Sequence, residues 1–376
     1  MHELSEPERA LLDLIRENPF AGQQQMADQL GLSRSAVAAH IVRLTEKGHI
    51  LGRGYLLPGE DRIVVVGGAV IDRKYLARAP LIAGTSNPVE GMRSFGGVAR
   101  NVAENLAALG ANVGFVSAVG ADESGRDLQR HLAGKGVDVA HLYALPDERT
   151  AEYAAILEPS GDLAYGIADM AIFDRLTPDL LVNAAPALAA ARLVFADCNL
   201  PADTLTALIE RRNGGKFQLA IDAVSTPKVR KLPASLAGID LLFLNLDEAS
   251  AWLRVEYDRD INGMALASQA LSEAGAGAVI LTCGTMGAVV SERGTARPVP
   301  VVAAEPVDMT GAGDAMIAAT LYHYLGGGAL HEAVRRGALS AALTTESASS
   351  VHPQMSSHFI EAHLHRLDPI QGESVA

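Results

Sequence analysis

Apolar residues change their spacing along the chain, and each change marks a different kind of structure. In the first 58 residues they recur every three or four positions over short stretches. Leu11, Leu12, Leu14 and Ile15 make one stripe within residues 5–18, where Ser5 and Pro7 act as helix-start signals. Residues 23–30 form a second helical stretch closed by Gly31. Ser33 caps a third, which carries Val37, Ile41, Val42 and Leu44 and ends at Gly48. A short helix, a glycine turn and another helix is the helix-turn-helix order, and residues 49–57 read as the two-stranded wing behind it. Residues 58–61 (Pro-Gly-Glu-Asp) make a short polar linker.

From residue 62 onward, solid apolar runs alternate with alanine-rich helical stretches. Residues 63–66, 113–119, 193–196, 217–221, 241–244 and 278–282 read as buried strands, and 98–109 and 203–212 as helices. This alternation predicts an α/β fold, a mainly parallel sheet flanked by helices on both faces. Residues 150–167 instead alternate singly between apolar and polar, as antiparallel strands with one wet face do. A small sheet there would cover a substrate site as a β lid. The predicted organisation is a winged helix-turn-helix over residues 1–58 and an α/β domain with a lid over 62–376.

Composition narrows the function classes. The chain has 376 residues, 49% of them hydrophobic, enough for one large core and a small appended domain. No apolar run reaches the roughly 18 residues needed to cross a bilayer, and the N-terminus lacks the basic and apolar parts of a signal peptide. No membrane partner is expected. Cys198 and Cys283 stand far apart, so neither a disulfide framework nor a zinc site is expected, and a cytoplasmic location is. A net charge of −13 argues against binding nucleic acid over the whole surface, yet leaves room for one basic face. Residues 1–30 set Arg9 and Arg16 against Glu3, Glu6, Glu8, Asp13, Glu17 and Asp28. Residues 31–57 set Arg34, Arg43, Lys47 and Arg53 against Glu46 alone. Positive charge therefore gathers where a recognition helix and wing would meet phosphates, making DNA a candidate partner of residues 1–58. Packing or dimerisation is the other use of such a domain.

The candidate chemistry lies in the α/β part. No Gly-x4-Gly-Lys-Ser/Thr occurs, and no Gly-x-Gly-x-x-Gly follows the first strand, so a bound phosphate needs another cradle. The run Asp308-Met-Thr-Gly-Ala-Gly-Asp314 supplies one. Gly311, Ala312 and Gly313 at a helix start let backbone N–H groups converge on an anion. Asp314, in the first turn, can accept the proton of an attacking hydroxyl. A glycine turn with a carboxylate at the positive helix end is the plainer alternative. Asp72, past the first strand, falls where open α/β sheets bind ligands. Asn245-Leu-Asp-Glu248, after the strand 241–244, has the spacing of a helix N-cap box.

Taken in order over residues 62–352, these motifs resemble those of the PfkB (ribokinase-like) carbohydrate and nucleoside kinases. The resemblance implies that the Gly311–Gly313 backbone is the anion hole and Asp314 the catalytic base. Asp308 becomes a candidate for a monovalent-cation site, K+ for example. Met309 and Met316 depart from the commonest residues of the motif without removing a catalytic side chain. The run Phe95-Gly-Gly-Val-Ala-Arg-Asn101 implies that Gly96 and Gly97 bring backbone close to a sugar whose hydroxyls Asn101 and Asp72 bind. Asn245 and Glu248 would organise Mg2+ beside ATP, and Thr282, Gly284 and Gly287 would line the nucleotide site. Residues 96–105, 167–171, 196–199 and 222–228 are similar to those of pseudouridine kinases, some bacterial ones with a winged helix in front. This implies phosphoryl transfer from ATP to the 5′-hydroxyl of pseudouridine, with Asp169 reading the base and Ser225 and Lys228 near the nucleotide phosphates. A kinase for ribose or another nucleoside stays open. So does a DNA-binding regulator whose kinase fold senses a nucleoside or sugar. A homodimer is expected, because lid-mediated dimers are common in the family and winged helices usually act in pairs.

Overall fold

The computed structural model describes residues 4–18, 21–50 and 61–367. The N-terminal part holds helices Glu6–Glu17, Gln23–Leu30 and Arg34–Glu46. Their ends are set by local chemistry: Ser5 N donates to Glu8 Oε2 at 2.9 Å, Gly31 takes φ 63°, and Ser33 Oγ accepts from Ala36 N at 3.1 Å. Leu11, Leu12, Ile15, Met26, Ala27, Val37, Leu44 and Ile50 close a small core. Val42, expected on the apolar side, is instead 55% exposed. It lies five residues from Val37, and a helix turning 3.6 residues per turn carries it off the face shared by Val37, Ile41 and Leu44. The expected basic face is also thinner than its residue count suggests. Lys47 Nζ bonds Glu8 at 2.9 Å and Arg43 Nε lies 3.8 Å from the same carboxylate. The Ser5 amide, aided by Lys47, holds the buried Glu8 carboxyl down to about 2. Of the expected wing at 49–57, residues 51–57 lie outside the described residues.

The α/β part carries thirteen strands among its described residues. They are β1 (Arg62–Val66), β2 (Val70–Ala77), β3 (Val89–Gly96), β4 (Asn112–Gly120), β5 (Asp138–Leu145), β6 (Glu152–Leu157) and β7 (Leu163–Asp169). After them come β8 (Leu193–Asp197), β9 (Gln218–Asp222), β10 (Leu241–Asn245), β11 (Ala278–Thr282), β12 (Ala288–Glu292) and β13 (Thr295–Val299). Nine form one sheet in the order β13-β12-β11-β10-β9-β8-β1-β4-β5, parallel except for β12, which runs antiparallel to both its neighbours. The strands are buried on both faces because successive side chains enter different cores. Val64, Val66, Val194 and Ala196 face one, while Ile63, Val65, Leu193 and Phe195 face the other. At roughly 1.5–3 kcal/mol per buried Val, Leu, Ile or Phe side chain, these two cores supply the main drive for folding.

Chain order reverses between β1 and β8. From β1 the sheet grows through β4 to β5, and from β8 it grows the other way through β9 and β10 to β11. In an open α/β sheet, the crevice outside the strand C-termini at such a point is where ligands bind.

The lid is larger than the alternation at 150–167 predicts. Its second sheet has the order β3-β2-β6-β7, so only β6 and β7 fall within that stretch. Asp72 is accordingly not in a loop at the end of β1 but inside lid strand β2. The pairings Asp72↔Ser94, Asp72↔Tyr153 and Tyr153↔Ala168 put Asp72 and Tyr153 on one lid face. Ile71↔Glu152↔Asp169 belongs to the other face.

Candidate active site

The cradle at residues 311–314 forms because a glycine begins the helix Ala312–Leu325. Gly311 is its N-cap at φ 84°, and a Cβ there would stand 2.0 Å from the Ser350 carbonyl oxygen. No other residue fits that backbone and that approach. The first helical amides have no acceptor within the helix, and Gly313 opens onto free space. Asp314 stands at the third helical position, half-buried. Its Oδ2 accepts from Asn101 Nδ2 at 2.6 Å. Burial, against the help of Asn101 and Arg100, pushes its carboxyl up to about 7, and the nearby Asp197 and Asp72 charges add to the rise.

Asn101 is held by a residue that sequence reasoning passed over. Arg100 is buried in helix Val98–Ala108, pairs with Glu104 at 2.5 Å, and bonds the Phe95 carbonyl, Asn101 Oδ1 and Ser350 Oγ. A buried guanidinium is tolerated because each of its three nitrogens finds an acceptor, Nε on the Gly96 carbonyl. Its presence in a run of small apolar residues was the available signal. It also acts on Asp72, whose pKa burial raises while Arg100 and Lys74 oppose.

The paired glycines are needed for close approach. A Cβ at Gly96 would fall 2.0 Å from Asp72 Oδ2, and one at Gly97, at φ 95°, 2.6 Å from the Gly68 carbonyl oxygen. Asp72, Gly96, Gly97, Asn101 and Asp314 thus converge on one crevice. Its floor is Asp197, fully buried at the end of β8. Asp197 accepts from Gly68 N at 3.1 Å, Ala99 N at 3.0 Å and Asn199 Nδ2 at 2.8 Å. Neither Asp197 nor Tyr153 was singled out from the sequence.

Two cavities adjoin the cradle. One, of about 190 Å³, is bounded by Asp222, Asn245, Glu248, Thr282, Gly313 and Asp314. The other, of about 470 Å³ and chiefly apolar, is lined by Thr282, Gly284, Gly287, Met309, Gly313 and Ala338 among others. They share Thr282, Gly313 and Met316, so a ligand filling the larger cavity can reach Asp314 through the smaller. Asn245 and Glu248 do form a helix N-cap box, with Asn245 N to Glu248 Oε2 at 2.8 Å and Glu248 N to Asn245 Oδ1 at 2.9 Å. One Glu248 oxygen stays outside the box. Burial raises the carboxyl groups of both Glu248 and Asp222, and each lies near further negative charge. No cluster of three or more His, Cys, Asp or Glu that could cage a bare ion exists among the described residues. This donor set suits a hydrated Mg2+ held through water.

Three expected residues do not line these two cavities. Lys228 does not line the cavities around Thr282 and Gly313; its Nζ bonds Asn199 Oδ1 at 2.5 Å and lies 4.0 Å from Met170 Sδ. Ser225 sits on the same turn, behind Val224 at φ 68°. Asp169 is exposed on the lid face opposite Asp72, so the register turns it away from the crevice. Asp308 accepts from Lys74 Nζ at 2.5 Å and from Thr310 Oγ1 at 2.6 Å.

A model of the pfkB family carbohydrate kinases matches residues 60–356, and a winged helix-turn-helix DNA-binding model matches residues 4–50. The uncharacterized sugar kinase YeiI of Escherichia coli (strain K12) is 33% identical over 352 residues, 93% of this chain and 96% of its own. That span is longer than the kinase match alone. The pseudouridine kinase of the same strain is 30% identical over 301 residues, 76% of this chain and 92% of its own. Among solved structures, a carbohydrate kinase from Agrobacterium tumefaciens is 35% identical with a TM-score of 0.72, over 82% of this chain and 98% of that one. The chain belongs to the PfkB family of carbohydrate kinases.

Proposed function

We propose that this kinase transfers the γ-phosphoryl group of ATP to the 5′-hydroxyl of pseudouridine. The observation that carries the reading is Asp314, a carboxyl pushed up to about 7 at the mouth of an open helix N-terminus, with Asn101 and Asp72 on its other side. Asp72 and Asn101 hold the ribose hydroxyls, and Gly96 and Gly97 let the sugar lie against backbone. The 5′-oxygen attacks the γ-phosphorus and the bond to the β-phosphate oxygen breaks, leaving ADP. Asp314 takes the hydroxyl proton, and the Gly311–Gly313 amides receive the charge on the moving phosphoryl oxygens. The apolar cavity beside Ala338 takes the adenine. Glu248 and Asp222 would hold a hydrated Mg2+, which when bound neutralises the nucleotide phosphates.

Pseudouridine is favoured because a 30% identical relative is a pseudouridine kinase. Tyr153, on the Asp72 face of the lid, offers its ring to a base. Pseudouridine differs from uridine by one ring N–H, and an unpaired buried partner for it costs about 1–3 kcal/mol, enough for about 5- to 150-fold preference. The test is ADP release with pseudouridine, uridine, ribose, adenosine and guanosine. The expected order has pseudouridine first, with its 5′-monophosphate as product. No turnover on pseudouridine defeats this reading, and preferred turnover on ribose or a purine nucleoside reassigns the substrate.

Two further roles follow from other surfaces. Tyr165 and Ile167 on β7 are both more than half exposed on the lid face away from Asp72. Such a stripe fits a second copy of this chain, with a homodimer expected by sedimentation. Residues 4–50 are proposed to bind DNA, making the protein a kinase with an attached DNA-binding module. With Arg43 and Lys47 engaged by Glu8, binding per monomer should be weak and salt-sensitive. A mobility shift on its own upstream DNA, with and without nucleoside, tests whether the kinase fold also acts as a sensor.

A further inference from the structure

One ion pair joins the lid to the segment in front of the anion cradle, and the proposed reaction does not use it. Lys74 lies on β2 two residues after Asp72, on the same lid face. Its ammonium meets Asp308 Oδ2 at 2.5 Å, across 234 positions of chain. The other carboxylate oxygen, Oδ1, accepts from Thr310 N at 2.8 Å and Thr310 Oγ1 at 2.6 Å. Both oxygens are therefore occupied. Burial alone would raise the Asp308 carboxyl, but Lys74 and Thr310 outweigh it and keep it below its ordinary value. Asp308 is thus an anion already matched by one positive charge.

A monovalent cation at Asp308, expected from the sequence, does not fit this arrangement. It would have to displace the ammonium from Oδ2 or come to rest against it, placing two like charges on one carboxylate. The segment concerned matters for the cradle. Thr310 passes straight into Gly311, whose backbone is wedged against Ser350, and Met309 O accepts from Ala312 N at 3.4 Å. Whatever orders residues 308–310 orders the cradle entrance.

We infer that the Lys74 ammonium takes the place of a monovalent cation at Asp308, so that the lid itself supplies the charge that orders the entrance to the Gly311–Gly313 cradle. Lys74 is on this account a positioning residue, and the cradle is complete only with the lid strand in place. The inference rests on the kinase reading for its effect on turnover, but not for its effect on cation binding.

The test compares KCl with choline chloride at equal ionic strength, for wild type, Lys74→Met and Lys74→Arg. Wild type and Lys74→Arg should show the same melting temperature and the same kcat/KM in both salts. Lys74→Met frees Asp308 for a cation and should melt higher in KCl, as binding to the folded state alone requires, and with the cradle entrance ordered again it should recover at least about five-fold in kcat/KM there. If Lys74→Met does not fold, Lys74→Gln carries the same measurement. A potassium-specific rise in wild-type melting temperature or turnover overturns the inference. So does a neutral variant indifferent to the salt. The melting arm needs no substrate, so an enzyme silent on every nucleoside counts against the proposed function and leaves this result standing.

Discussion

Replacing Asp314 by Asn removes a carboxyl that burial pushes from an ordinary 3.8 up to about 7. In the unfolded chain the same group ionises near its ordinary value. Between those values the folded protein therefore holds a proton that the unfolded chain has lost. Stability then falls as pH rises through this window and levels off above it. A rise of that size corresponds to about 4 kcal/mol at most. Asp314 is only half-buried, so screening by solvent should reduce the realised effect to about 1–3 kcal/mol. Asparagine, which never ionises, escapes the penalty. Asp314→Asn should thus be more stable than wild type at pH 8 by that amount, with the gap narrowing toward pH 4. Its kcat should drop about 10²- to 10⁴-fold through loss of the base. Urea unfolding of the ligand-free proteins at pH 4, 6 and 8, beside ADP release, measures both. A stability difference that stays constant across this range would show that Asp314 titrates as an exposed carboxyl does. Full turnover by the variant would remove it from the chemistry.

The same group shapes the pH profile. In wild type, kcat/KM should rise with unit slope up to about pH 7 and then flatten, and Asn101→Ala should move that bend upward by up to ~1 pH unit because a charge-stabilising hydrogen bond is lost. Gly97→Ala should cost about 2 kcal/mol in chemical unfolding, since φ 95° and the Gly68 carbonyl at 2.6 Å both oppose a Cβ. A cost under ~0.5 kcal/mol would mean that the helix start shifts freely. Glu248→Gln keeps an acceptor for the N-cap box, so its melting temperature should stay close to wild type. The Mg2+ needed for half-maximal rate should nevertheless rise about ten-fold. An unchanged Mg2+ requirement would leave Glu248 a helix cap and nothing more.

What the sequence made legible follows from where each signal is carried. The central strands are apolar on both faces, so 63–66, 193–196 and 278–282 stand out as unbroken runs, and the structure places strands there. Lid strand β3 is mostly exposed and contains Gly91 and Gly96, so neither run nor alternation marks it. Its existence depends on pairing with β2, a contact that no local window contains. The glycine-begun helix start at Gly311–Asp314 was legible because the turn and the first helical residues are local. Asp197 and Tyr153 were not legible, because each meets its neighbours only when distant segments come together, whereas Arg100, bonded chiefly to residues four or five positions away, was legible and passed over. Asp169 shows the converse. Its place in the sequence suggested a base contact, but strand pairing puts Asp72 and Asp169 on opposite sides of the lid. A pleated strand reverses direction at every residue, so a single step along the chain decides whether a side chain meets the ligand or the solvent. If the substrate is the nucleoside proposed above, specificity for its base is therefore better sought at Tyr153, which shares its face with Asp72, than at Asp169.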